Sequence, residues 1–171
     1  MPETNLNHLD SKLISILVNF KKVIIIGLGN PIKGDDGAGV YITEKLKGSQ
    51  KKNSINILSC YNSPANYLGK IVKFNPDFVL FIDAVYHPNF ILGDIVIINP
   101  NKILELESFT THYQNYSVIL DFLNKELNKT LDYLVLGINV EEMELADDIS
   151  EIVIKSSETI ISSIKKMLLN A

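Results

Sequence analysis

The chain alternates short, wholly apolar runs with stretches whose apolar residues recur every three or four positions. "KVIIIGLG", "INILSC", "DFVLFIDAV" and "DYLVLGIN" are β-branched and compact, bounded by glycine or polar residues, as expected of strands buried on both faces. Leu9, Leu13, Ile16 and Leu17 recur at helical spacing and predict a leading helix within residues 1–20. Residues from about Asp36 to Leu46 predict a second helix. Pro64 opens a third through "ANYLGKIVKF", and "NYSVILDFLNKEL" predicts a fourth. The closing segment, "DDISEIVIKSSETIISSIKKMLL", sets Ile149, Ile152, Ile160, Ile164 and Leu168 on one apolar face. "GDIVIINP" follows the third strand after a connection too short for a helical crossover, so it is expected as an antiparallel edge strand.

This order predicts an α/β fold: a three-layer α/β/α sandwich around a mostly parallel sheet of about five strands, with one antiparallel edge strand. A single domain over residues 1–171 is expected, because no linker, repeat or low-complexity segment divides the chain. In open sheets of this kind, ligands gather beyond the carboxyl ends of the strands, where the strand order switches. The residues after the first and third strands therefore matter most.

Composition narrows the partners. The net charge is −4, and the basic residues are all lysine. The absent arginine is the side chain best shaped to grip phosphate and base edges, so no nucleic-acid partner is expected. The single cysteine, Cys60, excludes an internal disulfide and is expected as a small buried group. The N-terminus lacks the basic start and apolar core of a signal peptide, and no apolar run approaches the roughly 20 residues that span a bilayer. A cytoplasmic protein without membrane insertion is the expectation.

The chemistry concentrates in "VIIIGLGNPIKGDDGAGV", Val23 to Val40. Gly27 and Gly29 have the spacing of a dinucleotide fingerprint, but Ile32 stands where the third glycine belongs, and no G-K-[ST] closes a phosphate loop. What remains is a glycine-flanked turn that brings Asp35 and Asp36 to a helix start. One of the two is explained as a helix cap, leaving its neighbour to project elsewhere. A further carboxylate, Asp83, ends the third strand, and His112 lies immediately ahead of the fourth predicted helix. The topology puts Asp36 and Asp83 at one edge of the sheet on neighbouring strands. Two carboxylates and an imidazole suit nickel, zinc or a similar divalent ion. The same groups also suit proton transfer without a metal, an aspartate acting as general base. His8 and His87 are expected at the surface.

At these residues the sequence resembles the nickel–iron hydrogenase maturation endopeptidases. The resemblance rests on "GLGNPIKGDDGAGV", "LFIDAV", "TTHYQNYSVILDFL" and "YLVLGIN", which cover roughly Lys22 to Asn139. It implies an α/β/α protease that removes the C-terminal extension of a hydrogenase large-subunit precursor after nickel loading, and a monomer is expected. It also implies that Asp36, Asp83 and His112 engage the nickel carried by that substrate, for which zinc or cadmium can stand in. The family's acidic residue and glycines after strand two are replaced here by Ser59, Cys60 and Tyr61, a change that bears on partner specificity. Two rival expectations accompany this one. Peptidyl-tRNA hydrolase shares the "GLGNP" opening, though its following glycine and its Thr-Arg-His-Asn run are missing. A non-catalytic module that binds a metal or nucleotide would draw on the same three residues.

Overall fold

The computed structural model describes residues 6–50, 52–98, 113–141 and 148–169. Five strands form one sheet: β1 (Val23–Leu28), β2 (Ile55–Tyr61), β3 (Phe78–Val85), β4 (Ile95–Ile98) and β5 (Asp132–Asn139), in the order β2-β1-β3-β5-β4. The pairs β1–β2, β1–β3 and β3–β5 are parallel, whereas β4 runs antiparallel to β5 at the edge. The short connection from β3 to β4 explains that reversal, since a parallel return requires a crossover. β3 lies between two strands and beneath helices on both faces, and all eight of its residues are buried. Its unbroken apolar run follows from that double coverage.

The helices α1 (Leu6–Asn19), α2 (Ala38–Leu46), α3 (Leu68–Phe74), α4 (Tyr113–Leu127) and α5 (Glu151–Leu169) divide between the faces. Alternation along the strands separates two cores. Val23, Ile25, Leu80 and Ile82 pack with Leu9 and Leu13 of α1, Ile42 and Leu46 of α2, and Ile160 and Ile164 of α5. Ile24, Ile26, Val79 and Phe81 pack with Ile71 of α3 and with Tyr116, Ile119 and Leu123 of α4. Leu9, Leu13 and Ile16 are buried as their spacing predicts, and the side chain of Leu17 lies outside the described residues.

Two helices begin differently from the sequence expectation. A 3-10 turn, Gly34–Gly37, precedes α2, and another, Pro64–Tyr67, precedes α3. The buried stripe of α5 consists of Val153, Ser157, Ile160, Ile161, Ser163, Ile164, Met167 and Leu168, while Ile152 is 44% exposed. Ile152 therefore leaves the core face assigned to it. It flanks the backbone of Gly93, where a Cβ would come within 2.8 Å of its Cγ1, near the edge of the sheet. No described helix is long and apolar enough to cross a membrane.

The chain leaves β1 toward β2 on one side and returns to β3 on the other. The switch point thus falls between the carboxyl ends of β1 and β3, where an open α/β sheet presents its crevice.

Candidate functional site

The turn after β1 closes on its own side chains. Gly29 turns the chain at φ +123°, and a Cβ there would lie 1.8 Å from the carbonyl oxygen of Asp36. The position is open only to glycine. The Asn30 amide donates to Asp36 Oδ2 (2.9 Å), the Ile32 amide to Asn30 Oδ1 (3.2 Å), and the Asp36 amide to the Lys33 carbonyl (3.2 Å). An amide that a phosphate cradle would present to its ligand is therefore turned onto a carboxylate of the same loop. Asp36 itself is 3% exposed.

Gly39 carries this turn onto the sheet. A Cβ at Gly39 would lie 2.2 Å from the Ile82 carbonyl oxygen and 2.4 Å from that of Leu28. The first turn of α2 is thereby seated on the ends of β1 and β3. Ile82 immediately precedes Asp83, and Gly39 follows Asp36 by three positions. The turn bearing Asp36 and the strand bearing Asp83 thus pack together at the switch point, with Asp83 on β3 and Asp36 not on the neighbouring strand but in the 3-10 turn that follows it.

Asp35 faces the other way. Its carboxylate accepts the Ser150 amide at 2.6 Å and the Ser150 hydroxyl at 3.0 Å. Ser150 precedes α5 and its carbonyl accepts the Ile154 amide (2.9 Å), so Asp35 supplies negative charge at the start of that helix. The adjacent aspartates divide as the sequence suggests, one capping and one turned inward. The capped helix is α5 rather than α2.

Asp83 is fully buried. Its Oδ1 accepts the Ala84 amide at 2.9 Å, and its Oδ2 accepts a hydrogen bond from the Tyr116 hydroxyl in the first turn of α4. The Tyr116 ring packs on Phe81, two residues before Asp83, with centroids 4.9 Å apart. His112 precedes α4 directly in sequence and lies outside the described residues. Among the described residues, no group of three histidine, cysteine, aspartate or glutamate side chains is gathered to hold a metal. Asp36 and Asp83 remain the carboxylates that share the switch point.

Sequence reasoning missed Tyr116 and Asn139. A buried tyrosine requires a partner for its hydroxyl, which was the available signal. Asn139, 2% exposed at the end of β5, accepts the His87 amide (2.8 Å) and donates to the carbonyls of Phe90 (3.1 Å) and Ile91 (3.2 Å). Its backbone amide donates to Asp94 O (2.7 Å), and its carbonyl accepts the Gly93 amide (2.7 Å). One residue thus secures the β3–β4 connection beside the site. His8 is exposed as expected. His87 is half-buried, with its ring 5.0 Å from Phe90 and its Nδ1 accepting the Asn89 amide at 3.0 Å.

Burial pushes the Cys60 thiol up from its ordinary value of 9.0 to about 12, which suppresses the nucleophilic thiolate. The neighbouring Tyr61 adopts φ +55°, a left-handed conformation that glycine enters without steric cost, and its carbonyl accepts the Gly29 amide at 3.3 Å.

Comparisons with known proteins agree with this fold. No protein-family profile matches the chain. A Methanocaldococcus jannaschii protein, provisionally named a hydrogenase maturation protease, is 29% identical over 163 residues, covering 91% of this chain and 94% of its own length. The hydrogenase 3 maturation protease of Escherichia coli K12 is 29% identical over 111 residues, 63% of this chain and 68% of that protein. Among solved structures, the [NiFe] hydrogenase maturation protease HycI of Thermococcus kodakarensis superposes with a TM-score of 0.79 at 28% identity, over 92% of this chain and 99% of that one. The hydrogenase maturating endopeptidase HybD of Escherichia coli shares the fold, with a TM-score of 0.70 at 19% identity over 84% of this chain and 89% of that one.

Proposed function

We infer that this chain, a member of the nickel–iron hydrogenase maturation endopeptidase family, is a peptidase that removes the C-terminal extension from a hydrogenase large-subunit precursor. The observation that supports a particular site is the placement of two buried carboxylates, Asp36 in the turn after β1 and Asp83 near the end of β3, on elements that pack together at the β1–β3 switch point.

In this reading the nickel belongs to the substrate. Asp36 and Asp83 offer carboxylate oxygens, His112 an imidazole nitrogen, and together they engage the ion carried by the precursor. Burial makes this engagement selective. Carboxylates withdrawn from water attract a cation more strongly than solvated ones, so an ion presented at this site is held, whereas an empty precursor offers no charge to compensate them. The ion thereby reports correct loading. A divalent ion near the scissile peptide polarises its carbonyl or lowers the pKa of a water molecule. That water adds to the carbonyl carbon, a carboxylate oxygen accepts its proton, and the C–N bond breaks as the proton passes to the departing amine. Zinc or cadmium is expected to substitute for nickel as the recognised ion.

The test is incubation with nickel-loaded and nickel-free precursor, followed by mass spectrometry of the precursor's C-terminus. Mass loss confined to the loaded form is expected. Stable binding of the loaded precursor without mass loss would instead identify a non-catalytic module.

A further inference from the structure

We propose that Tyr116 is the positioning residue for the Asp83 carboxylate, holding it in the rotation that a divalent cation requires. The inference rests on the reading of Asp83 as a cation-contacting group.

A carboxylate at a strand end turns freely about its last bond unless donors hold it. Asp83 has a donor at each oxygen. The Ala84 amide holds Oδ1 at 2.9 Å, and the Tyr116 hydroxyl holds Oδ2. The first donor belongs to the same strand and is present whatever the helices do. The second comes from α4, so it ties the carboxylate to the placement of a separate element. Tyr116 is itself fully buried, its ring fixed against Phe81 at 4.9 Å with the planes tilted by 43°. The hydroxyl is therefore delivered by a side chain with little freedom of its own. A carboxylate oxygen has two lone-pair directions, so accepting one outer donor does not use up its capacity to ligate a cation. Outer-shell donors of this kind govern metal affinity by about 10–100-fold.

The same bond serves α4. Tyr116 lies in the first turn of that helix, and its hydroxyl pins the turn to β3 at the level of the site. Orientation of the carboxylate and seating of the helix start are one interaction.

The test uses Co2+ with the intact chain, since its visible absorption reports both binding and coordination geometry. Tyr116→Phe keeps the ring and removes only the donor. Phe81→Leu loosens the same packing and keeps the hydroxyl. Thermal unfolding of both variants is measured first, and Phe81→Leu serves as the control for lost packing. The expected result is Co2+ binding about 10–100-fold weaker in Tyr116→Phe, with a shifted absorption band, and a much smaller loss with the wild-type band in Phe81→Leu, which keeps the donor. Wild-type affinity and spectrum in Tyr116→Phe, or an equal loss in Phe81→Leu, would overturn the positioning role while leaving Asp83 a ligand. Unaltered Co2+ binding by Asp83→Asn, or none by the wild-type chain, would overturn the reading of Asp83 on which this inference stands.

Discussion

The Asp35 carboxylate accepts both the amide and the hydroxyl of Ser150, a residue 115 positions further along the chain. The turn that carries Asp36 is thereby fastened to the start of α5, on the far side of the sheet's switch point from α4. Asp35→Ala leaves that helix start without its anionic partner. A loss of about 1–2 kcal/mol in urea unfolding is expected, with a smaller loss for Asp35→Asn, which keeps one acceptor. Processing of a nickel-loaded precursor should fall as well, because Asp36 shares the loosened turn.

Gly39 and Gly69 make opposite predictions from the same substitution. At Gly39 a methyl group would strike the carbonyl oxygens of Ile82 and Leu28, which are backbone atoms of the two central strands. Gly39→Ala should lower the midpoint of thermal unfolding sharply and abolish processing. At Gly69, in α3, a Cβ meets nothing within 4 Å, so Gly69→Ala should be neutral or stabilising by up to about 1 kcal/mol.

Asn139→Ala removes three side-chain hydrogen bonds that hold the β3–β4 connection. The groups left behind are partly buried, so a destabilisation of about 2–4 kcal/mol is expected. Amide hydrogen exchange gives the sharper readout: the His87 amide should lose protection while those of β1 keep theirs.

Cys60 supplies a pH-dependent prediction. Its thiol is raised to about 12 in the folded chain from an ordinary 9.0. The unfolded chain therefore gives up this proton first as pH rises. The contribution to stability is complete below about 9 and is lost progressively toward 12. The stability difference between the wild-type chain and Cys60→Ala should move against the wild type across that interval. A thiol reagent at pH 8 should label the unfolded chain and spare the folded one, and Cys60→Ala should still process precursor.

Much of the architecture was legible because burial writes itself into composition. Apolar runs marked β1, β3 and β5, and the short connection after β3 marked β4 as antiparallel. The double aspartate and Asp83 could be placed at one edge because strand order follows from the βαβ pattern. Interactions between distant segments were not legible. Nothing in "DDIS" announces that Ser150 receives Asp35, and Tyr116 counts as a core aromatic until its hydroxyl is seen at Asp83. Ile152 fits the apolar period of α5 as well as Ile160 does. Only the position of Gly93 beside that first turn shows that Ile152 sits at the margin. Tyr61 gives no sequence signal of a left-handed conformation, which falls where the β1–β2 register shifts at the end of β1.

The central claim is that Asp36, Asp83 and His112 grasp one cation between them. A crystal of the chain soaked in a cadmium salt, with anomalous scattering recorded, tests it directly. A single strong peak bonded to both carboxylates and to the His112 imidazole is the predicted result. Cadmium bound elsewhere, or held by one of the three with the others turned away, would contradict it.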